Sequence, residues 1–313
     1  MATLKDVEHL LLVIAEDVPV TAVGQLPDRG TVCRNYHLTP AGEERAERIW
    51  PSFAVVLREA GVTVHLRASM PDTLGEITVL EANADTVAAV LAGLDDLPAG
   101  TLVAMALAGG DAAPVDERWG ASLGAPGTLF LHTPWAERAW VSEEVCDHVS
   151  LIHLCERWAA ERGLEARLWL SEWRRRVCGT LVDALDLGES AEVDEAEQAL
   201  HPSGLPARPL PYAPSAEVSV DGDSASLLLA NVGAASAVHL RIEEADTAWG
   251  LTVSPSSPVR PRSTSVPLAV VDGAYDVTVT GPGFTRRLTG STGSAGPAPA
   301  SSAQPHDLAE RLR

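Results

Sequence analysis

Basic residues are scarce in this sequence of 313 residues. It contains 23 lysine and arginine residues against 43 aspartate and glutamate residues, which gives a formal net charge of −20 at pH 7. A surface of this sign repels the phosphate backbone of nucleic acids and the anionic face of a membrane. The composition therefore excludes binding to nucleic acid by charge, and we expect no nucleic-acid partner.

Long apolar runs are also missing. No run approaches the roughly 20 apolar residues that span a bilayer, so we expect no transmembrane segment. The apolar run at residues 10–15 lacks the basic start and the small-residue cleavage site of a signal peptide. We therefore expect a soluble, cytoplasmic protein, and leave open whether an upstream start adds a signal peptide.

Cysteine occurs at only four positions, Cys33, Cys146, Cys155 and Cys178. Without an export signal, these thiols are expected to be reduced. Two of them lie near histidines in the sequence, but the spacings do not match the paired ligand patterns of zinc sites. Buried thiols are therefore favoured over a zinc site.

Apolar strands and amphipathic helices alternate through the first part of the chain. Residues 7–15 and 101–107 contain the continuous apolar runs 10–15 and 102–107, and each range is predicted to form a strand. Such runs are typical of strands that are buried on both faces of a parallel sheet. The other predicted elements are a helix ended by Gly61, a helix at 86–94, and strands at 62–66, 77–80 and 128–132. This order predicts an α/β fold.

Residues 141–186 predict two further amphipathic helices. The first begins near Asp147, whose carboxylate can accept hydrogen bonds from the free amides of the first turn, and Gly163 is placed to end it. The second begins at Ser171 and continues to Leu185, because its apolar residues recur at intervals of three and four. Both helices are expected to pack on a core.

Two strings of residues within this stretch carry a family resemblance. The first string is Val141, Glu144, Val145, Asp147, His148 and Ser150. The second string is Ser171, Trp173, Arg174, Arg175, Val177, Cys178, Gly179 and Leu181. Together they resemble the bacterial phospholipase C and acid phosphatase family of phosphoesterases. The resemblance implies an alkaline-phosphatase-like α/β domain, with a parallel sheet and flanking helices, and the hydrolysis of phosphate esters with a divalent metal.

The resemblance also implies a metal site at the end of the first strand. Glu16 stands where the family has a metal-binding glutamate, and Asp17 stands where it has a metal-binding asparagine. Ala108 and Gly109 replace two acidic ligands of the family after a later strand, and the acids that remain nearby are Asp111 and, further on, Asp116. The metal site is therefore expected to be largely lost. The alternative is that Glu16 and Asp17 are polar residues that end a strand.

The candidate catalytic residues each have a structural alternative. Thr39 is the residue nearest to the family's nucleophile segment, which is missing here, but a helix cap before Glu43 is favoured for it. Asp147 and His148 are candidates for general acid or base, but a helix cap and a hydrogen-bonded histidine are favoured. The basic residues 174–176 either contact a phosphate or pair with nearby acids, and pairing is favoured.

The chain changes character after residue 188. The predicted organisation is an α/β domain at 1–188, a Pro-rich linker at 189–214, a small antiparallel β-sandwich at 215–290 and a disordered tail at 291–313. The sandwich resembles the C-terminal β-domain of the same family. The matching residues are Leu227, Leu229, Asn231, Gly233, Gly273, Tyr275, Asp276, Gly281, Pro282, Gly283, Phe284, Arg286 and Gly290.

The sequence is compatible with an enzyme, a binding protein or a structural protein. The resemblance implies a phospholipase C-like hydrolase that acts on a phosphate ester or a phospholipid headgroup, and the lost ligands and nucleophile segment predict impaired catalysis. The alternative is a non-catalytic relative that binds a ligand or a protein through the β-domain or through the cleft that corresponds to the family's active site. A third, weaker hypothesis is a structural partner in an assembly, which predicts a large apolar surface patch.

Overall fold

A computed structural model of the chain describes residues 2–23, 26–38, 46–110, 118, 122–187 and 204–293. Within these ranges the chain forms a seven-stranded sheet with helices on both faces, followed by two antiparallel sheets. No helix in these ranges is long and apolar enough to cross a bilayer.

The helices that matter for packing lie before and after the strands of the first sheet. They are α1 (Val20–Val23), α2 (Ala46–Glu59), α3 (Ala84–Ala92), α4 (His148–Glu161) and α5 (Glu172–Val177), and a single 3₁₀ turn, Leu94–Asp96, follows α3. Asp147 is the N-cap of α4, as its position in the sequence predicts. Gly163, which follows the end of α4, has a positive φ of 72°. Glycine adopts this conformation at little steric cost, which explains why the helix ends here.

The first sheet contains β1 (His9–Pro19), β2 (Gly30–His37), β3 (Val64–Arg67), β4 (Ile77–Glu81), β5 (Thr101–Ala108), β6 (Pro126–His132) and β7 (Ala139–Ser142). Their order across the sheet is β3-β4-β1-β5-β6-β2-β7. The strands β3, β4, β1 and β5 are parallel to one another. By contrast, β6 is antiparallel to both of its neighbours, β5 and β2, and β7 is parallel to β2.

The prediction of a parallel sheet is therefore wrong for β6, which runs opposite to the other six strands, and the sheet is mixed. The last residue of β5, Ala108, pairs with Gly127 near the start of β6. The chain thus returns at the same end of the sheet, whereas a parallel neighbour needs a crossover to the opposite end. Sequence patterns also missed β2 and β7, two strands whose residues neither alternate strictly nor form long apolar runs.

Alternate residues of β1 enter two separate cores. Leu10 and Leu12 belong to the cluster that contains Phe53 of α2 and Trp158 of α4. Leu11 and Val13 belong to a second cluster, on the face that α3 covers. Successive side chains of a strand point to opposite faces, so a strand that is covered on both sides is apolar at every position. This confirms the interpretation of residues 7–15 as a buried strand.

The second predicted helix is much shorter than expected. Ser171 caps it, as predicted, but α5 ends at Val177 rather than near Leu185. After Cys178 the amide of Gly179 donates to the carbonyl oxygen of Val145, and Leu181 has a positive φ of 62°. The apolar residues beyond the helix still reach the main core, but along an irregular path. Tertiary contacts therefore override the helical period of this segment.

The C-terminal strands form two antiparallel sheets around one core. One sheet has the order β11-β10-β13-β14 and the other has the order β12-β9-β8. Leu227 and Leu229 of β9 share a buried cluster with Leu240 and Ile242 of β10, which indicates that the sheets pack face to face. The strands are β8 (Pro214–Asp221), β9 (Ser224–Asn231), β10 (Val238–Glu244), β11 (Thr247–Val253), β12 (Ser263–Pro267), β13 (Ala274–Gly281) and β14 (Phe284–Ser291).

The residues just before β8 lie against the first sheet. The amide of Val141 in β7 donates to the carbonyl oxygen of Pro206, and the amide of Arg208 donates to the carbonyl oxygen of Val141. Ala207 thus forms a parallel bridge to β7, although the five prolines of this segment led us to expect no regular structure. The bridge is possible because a proline lacks only its own backbone N–H group. Its carbonyl oxygen and the amides of its neighbours can still form hydrogen bonds.

Candidate functional site

The carboxyl ends of the parallel neighbours β1 and β5 lie side by side, and this edge of the strands is where open α/β sheets place ligands. The pairing of β1 with β5 is irregular between Ala15 and Pro19, so Glu16 and Asp17 lie in a bulge. Bulges are common next to functional sites because they redirect side chains. Glu16 is half-buried here, and Asp17 is exposed.

Tyr36 of β2 contacts Glu16. The Tyr36 hydroxyl donates a hydrogen bond of 2.8 Å to Oε1 of Glu16, and the tyrosine ring is fully buried. Burial and the nearby Glu16 carboxylate raise the pKa of Tyr36 well above its ordinary value, so the phenol keeps its proton and acts as the donor. Glu16 is therefore held by a protein partner that sequence reasoning missed. The aromatic and β-branched residues at 31–37 are the signal that predicts this strand.

The described residues do not fit a divalent metal centre. Among them, no group of three or more histidine, cysteine, aspartate or glutamate side chains is arranged to hold a metal ion. One oxygen of Glu16 already accepts a hydrogen bond, and the loop after β5 begins with Gly109, whose carbonyl oxygen accepts from Thr128 at 2.7 Å. Thr39 and Asp111, the predicted nucleophile and third metal ligand, lie outside the described residues.

Asp147 is fully buried at the start of α4, and its carboxylate is fully engaged. One oxygen accepts a hydrogen bond of 2.8 Å from the amide of Val149, and the other accepts from the guanidinium of Arg174. The backbone amide of Asp147 donates to the Ser150 hydroxyl, which completes a capping box. Burial opposes ionisation, but His148 and Arg174 outweigh it, and the pKa of Asp147 falls below its ordinary value.

Other polar residues surround this ion pair. His148 is fully buried, and His37 of β2 is also buried with its Nδ1 at 3.4 Å from the carbonyl oxygen of Gly124. Burial lowers the pKa of His37, although Asp147 partly opposes the shift. In this conformation neither Asp147 nor His148 exposes surface to a substrate. The geometry assigns Asp147 to the packing of α4 on α5, and its predicted catalytic role stays a prediction.

The predicted pairing of the basic residues is confirmed for two of them. Arg174 pairs with Asp147, and Arg175 donates to both oxygens of Glu156 at 2.9 Å. Arg176 is exposed on the same helix. Glu16 and Asp147 both lie near Tyr36, since Tyr36 donates to Glu16 and forms a parallel bridge with Cys146, the residue before Asp147. Strand β2 thus brings together the two ends of the predicted site, which lie 131 residues apart in the sequence.

A comparison with known families agrees with the sequence resemblance. The family described as "Bacterial phospholipase C, C-terminal domain" matches residues 206–291, which contain all seven strands of the two antiparallel sheets. The chain is a relative of the bacterial phospholipase C family. The recognition of the family is therefore confirmed, and the matching model covers its β-domain, residues 206–291.

Two phospholipase C proteins are similar to this relative over parts of their length. "Non-hemolytic phospholipase C" of Burkholderia pseudomallei (strain K96243) is 27% identical over 206 residues, covering 55% of this chain and 29% of that protein. "Non-hemolytic phospholipase C" of Pseudomonas aeruginosa (strain PAO1) is 31% identical over 146 residues, covering 37% of this chain and 20% of that protein. The chain thus spans less than a third of the length of either protein.

A solved structure entitled "Crystal structure of Ps i-CgsB" is 9% identical to this phospholipase C relative. The match covers 72% of this chain and 83% of that chain, with a TM-score of 0.34. A similarity of this size does not establish a shared fold.

Proposed function

We propose that this chain is a phospholipase C-like protein of the phosphoesterase class in which hydrolysis of phosphate esters is strongly impaired. The observation that carries the proposal is the environment of Glu16. The carboxylate that stands for the family's metal-binding glutamate accepts a hydrogen bond from Tyr36 and has no neighbouring group of metal ligands among the described residues.

The chemistry of the reaction explains why this arrangement matters. Cleavage of a phosphate ester builds negative charge on the phosphoryl oxygens, and a metal ion or a set of fixed donors must stabilise that charge. Ala108 and Gly109 at the end of β5 offer no side-chain oxygen, and the backbone of Gly109 is bonded to β6 through Thr128 and Pro126.

The proposed partner is a phosphate ester or a phospholipid headgroup, which the resemblance to phospholipase C proteins supports. We also propose that the first sheet descends from an alkaline-phosphatase-like domain. The parallel strands β3, β4, β1 and β5, with helices on both faces, support this ancestry. On this view the protein binds its ligand and acts as a non-catalytic relative.

A second candidate function is a surviving metal-dependent phosphoesterase. The observation that favours it is the bulge at the carboxyl end of β1, which exposes Asp17 beside the half-buried Glu16. Carboxylates at this position of a parallel sheet are suited to hold a hard divalent cation. The two candidates make opposite predictions about turnover.

The test is hydrolysis of bis(p-nitrophenyl) phosphate by the purified chain, with Mg²⁺, Mn²⁺ or Zn²⁺ and with a chelator. The proposed function predicts no turnover above the rate of buffer and metal alone. Glu81→Ala removes an exposed carboxylate at the end of the neighbouring strand β4 and is the matched control for Glu16→Ala. Metal-dependent turnover that Glu16→Ala abolishes and Glu81→Ala retains would establish the second candidate instead.

A further inference from the structure

A cavity of about 580 Å³ lies beside α4, and it shares no lining residue with the site around Glu16 and Asp147. Its volume lies in the range of pockets that hold small molecules. The side chains that give it its chemistry are His153, Arg157, Arg167, Arg175 and Thr180. They come from α4, the loop after it, α5 and the segment beyond α5.

His153 in the wall of this cavity has an unused hydrogen-bonding atom. The residue is only 6% exposed, and its Nδ1 lies 3.4 Å from the carbonyl oxygen of Gly179. A carbonyl oxygen can only accept, so Nδ1 carries the proton and Nε2 keeps a lone pair. Nε2 is buried and has no hydrogen-bond partner among the described residues. Buried polar atoms without partners are rare in folded proteins and call for an explanation.

The charge state of His153 defines what can bind to it. Burial and, to a smaller degree, Arg175 lower the pKa of His153, so the ring is neutral at pH 7.5. A neutral ring with its proton on Nδ1 offers an acceptor at Nε2. The group that satisfies this atom is therefore a hydrogen-bond donor, such as a hydroxyl group.

The arginines of the cavity differ in how firmly they are paired. Arg175 is neutralised by Glu156 through two hydrogen bonds of 2.9 Å. Arg157 lies 3.8 Å from Glu161, and both side chains are exposed, so water weakens this pair. For Arg167, which is exposed, no ion pair is seen within the described ranges. With Glu165 as the remaining acid in the lining, the cavity keeps a small positive excess in a strongly acidic chain.

We propose that this cavity binds a small anion that also carries a hydroxyl group, such as the phosphate ester of a polyol. The anionic oxygens accept hydrogen bonds from Arg157 and Arg167, and a small shift of the His153 ring, whose Nε2 is covered, lets the hydroxyl group donate to that atom. A free polyol phosphate and the headgroup of phosphatidylglycerol share this chemistry. The inference does not rest on the proposed function, because Glu16 and its surroundings take no part in the cavity.

The test is isothermal titration calorimetry of the full chain with glycerol 3-phosphate at pH 7.5. We expect saturable binding of the wild type and an affinity about tenfold or more lower in each of two variants. Arg167→Gln loses a hydrogen bond to the charged phosphate group, and His153→Asn loses the buried acceptor of the hydroxyl group. His153→Asn keeps a donor for the carbonyl oxygen of Gly179. Arg176→Gln removes an exposed arginine of α5 that does not line the cavity, and its affinity should equal that of the wild type.

A second measurement distinguishes the two sources of the ligand. Sedimentation with vesicles of phosphatidylcholine, with and without phosphatidylglycerol, reports binding to the lipid headgroup. Binding to phosphatidylglycerol alone that Arg167→Gln weakens would support the site and identify a lipid as its source. The inference is overturned if neither probe binds, or if Arg167→Gln binds as tightly as Arg176→Gln. If His153→Asn does not fold, Arg167→Gln still tests the site, because Arg167 is exposed. Neither experiment measures hydrolysis of phosphodiesters, so both outcomes are independent of the proposed function.

Discussion

At the scale of single residues, Glu144 is a buried carboxyl group with one unsatisfied oxygen. It is buried, and its Oε2 has no hydrogen-bond partner within the described ranges. Burial first, and then the charge of Asp183, raise the pKa of Glu144 from its ordinary value of 4.5 to about 7. The side chain matches the family motif in sequence, and the motif alone does not reveal its burial or its raised pKa.

Glu144 should make the stability of the protein depend on pH. Between pH 4.5 and about 7 the carboxyl group is ionised in the unfolded chain but protonated in the folded one. The folded state therefore binds more protons, and the free energy of unfolding falls as the pH rises through this window, by about 3 kcal/mol in total. Glu144→Gln should remove this loss, so that the variant is more stable than the wild type at pH 8.

Urea denaturation at pH 4.5, 6 and 8 measures the effect of Glu144→Gln. Glu217→Gln, which removes an exposed glutamate of β8, is the control and should follow the wild type. An identical pH profile for the wild type and Glu144→Gln would show that the carboxyl group has an ordinary pKa.

Gly179 is required because of the same carboxyl group. A Cβ at this position would lie 1.8 Å from Oε1 and 2.6 Å from Cγ of Glu144, and a buried side chain has little room to move away. Gly179→Ala should therefore lower the free energy of unfolding by about 1–3 kcal/mol, the usual cost of overpacking. The double variant Gly179→Ala/Glu144→Ala should lose less stability than the sum of the single variants.

Thermal and chemical denaturation of these variants check the prediction. Gly93→Ala is the control, because its Cβ would meet nothing closer than 3.4 Å. Strict additivity of the two single changes would mean that Gly179 and Glu144 do not compete for space.

At the scale of elements, α4 and α5 are joined by a buried ion pair rather than by a long helical seam. Asp147 caps α4 and binds Arg174 of α5, which also donates to the carbonyl oxygen of Ser122 at 3.1 Å. The favourable field of Arg174 compensates the cost of burying the carboxylate. Both residues belong to the two strings that carry the family resemblance. Their ion pair gives a structural reason for the presence of both residues.

Loss of one member of this pair should be costly. Arg174→Met leaves the buried charge of Asp147 without its partner, so we expect the free energy of unfolding to drop by about 3–5 kcal/mol. Arg176→Met changes an exposed arginine of the same helix and should stay within about 0.5 kcal/mol of the wild type. Guanidinium denaturation compares the two variants, and equal stability would contradict the assigned role of Arg174.

Elements with a local cause were predictable from the sequence, and elements with a distant cause were not. The apolar run of β1 and the cap at Asp147 depend on residues close in sequence, and both predictions are confirmed. The end of α5 depends on a hydrogen bond from Gly179 to Val145, and the direction of β6 depends on its pairing with β5. The contact of Tyr36 with Glu16 depends on the order of strands across the sheet, which no local pattern specifies.

At the scale of the whole molecule, α5 and the segment before α4 contact the C-terminal part of the chain. Trp173 of α5 donates a hydrogen bond of 3.0 Å to the Thr252 hydroxyl of β11 and packs edge-on against His239, with ring centroids 6.2 Å apart. The amide of Val145 donates to the Tyr212 hydroxyl at 3.2 Å. These contacts couple the C-terminal part to the residues around Asp147.

Removal of Trp173 should weaken this coupling. Trp173→Ala loses a half-buried ring and one hydrogen bond, and we expect the free energy of unfolding to fall by about 2 kcal/mol. Trp169→Ala is the control, since Trp169 is 91% exposed, and it should leave stability unchanged. Calorimetric melting curves test this, and equal effects of the two substitutions would show that Trp173 does not couple the two parts.

The central claim is that Glu16 is held by Tyr36 instead of serving a catalytic metal centre. The most direct measurement is calorimetric titration of the chelator-treated chain with Mn²⁺ and Zn²⁺, for the wild type, Glu16→Ala and Tyr36→Phe. The account predicts no stoichiometric binding by the wild type and no difference between the wild type and Glu16→Ala. Stoichiometric metal binding by the wild type that is lost in Glu16→Ala would contradict it and restore the catalytic interpretation.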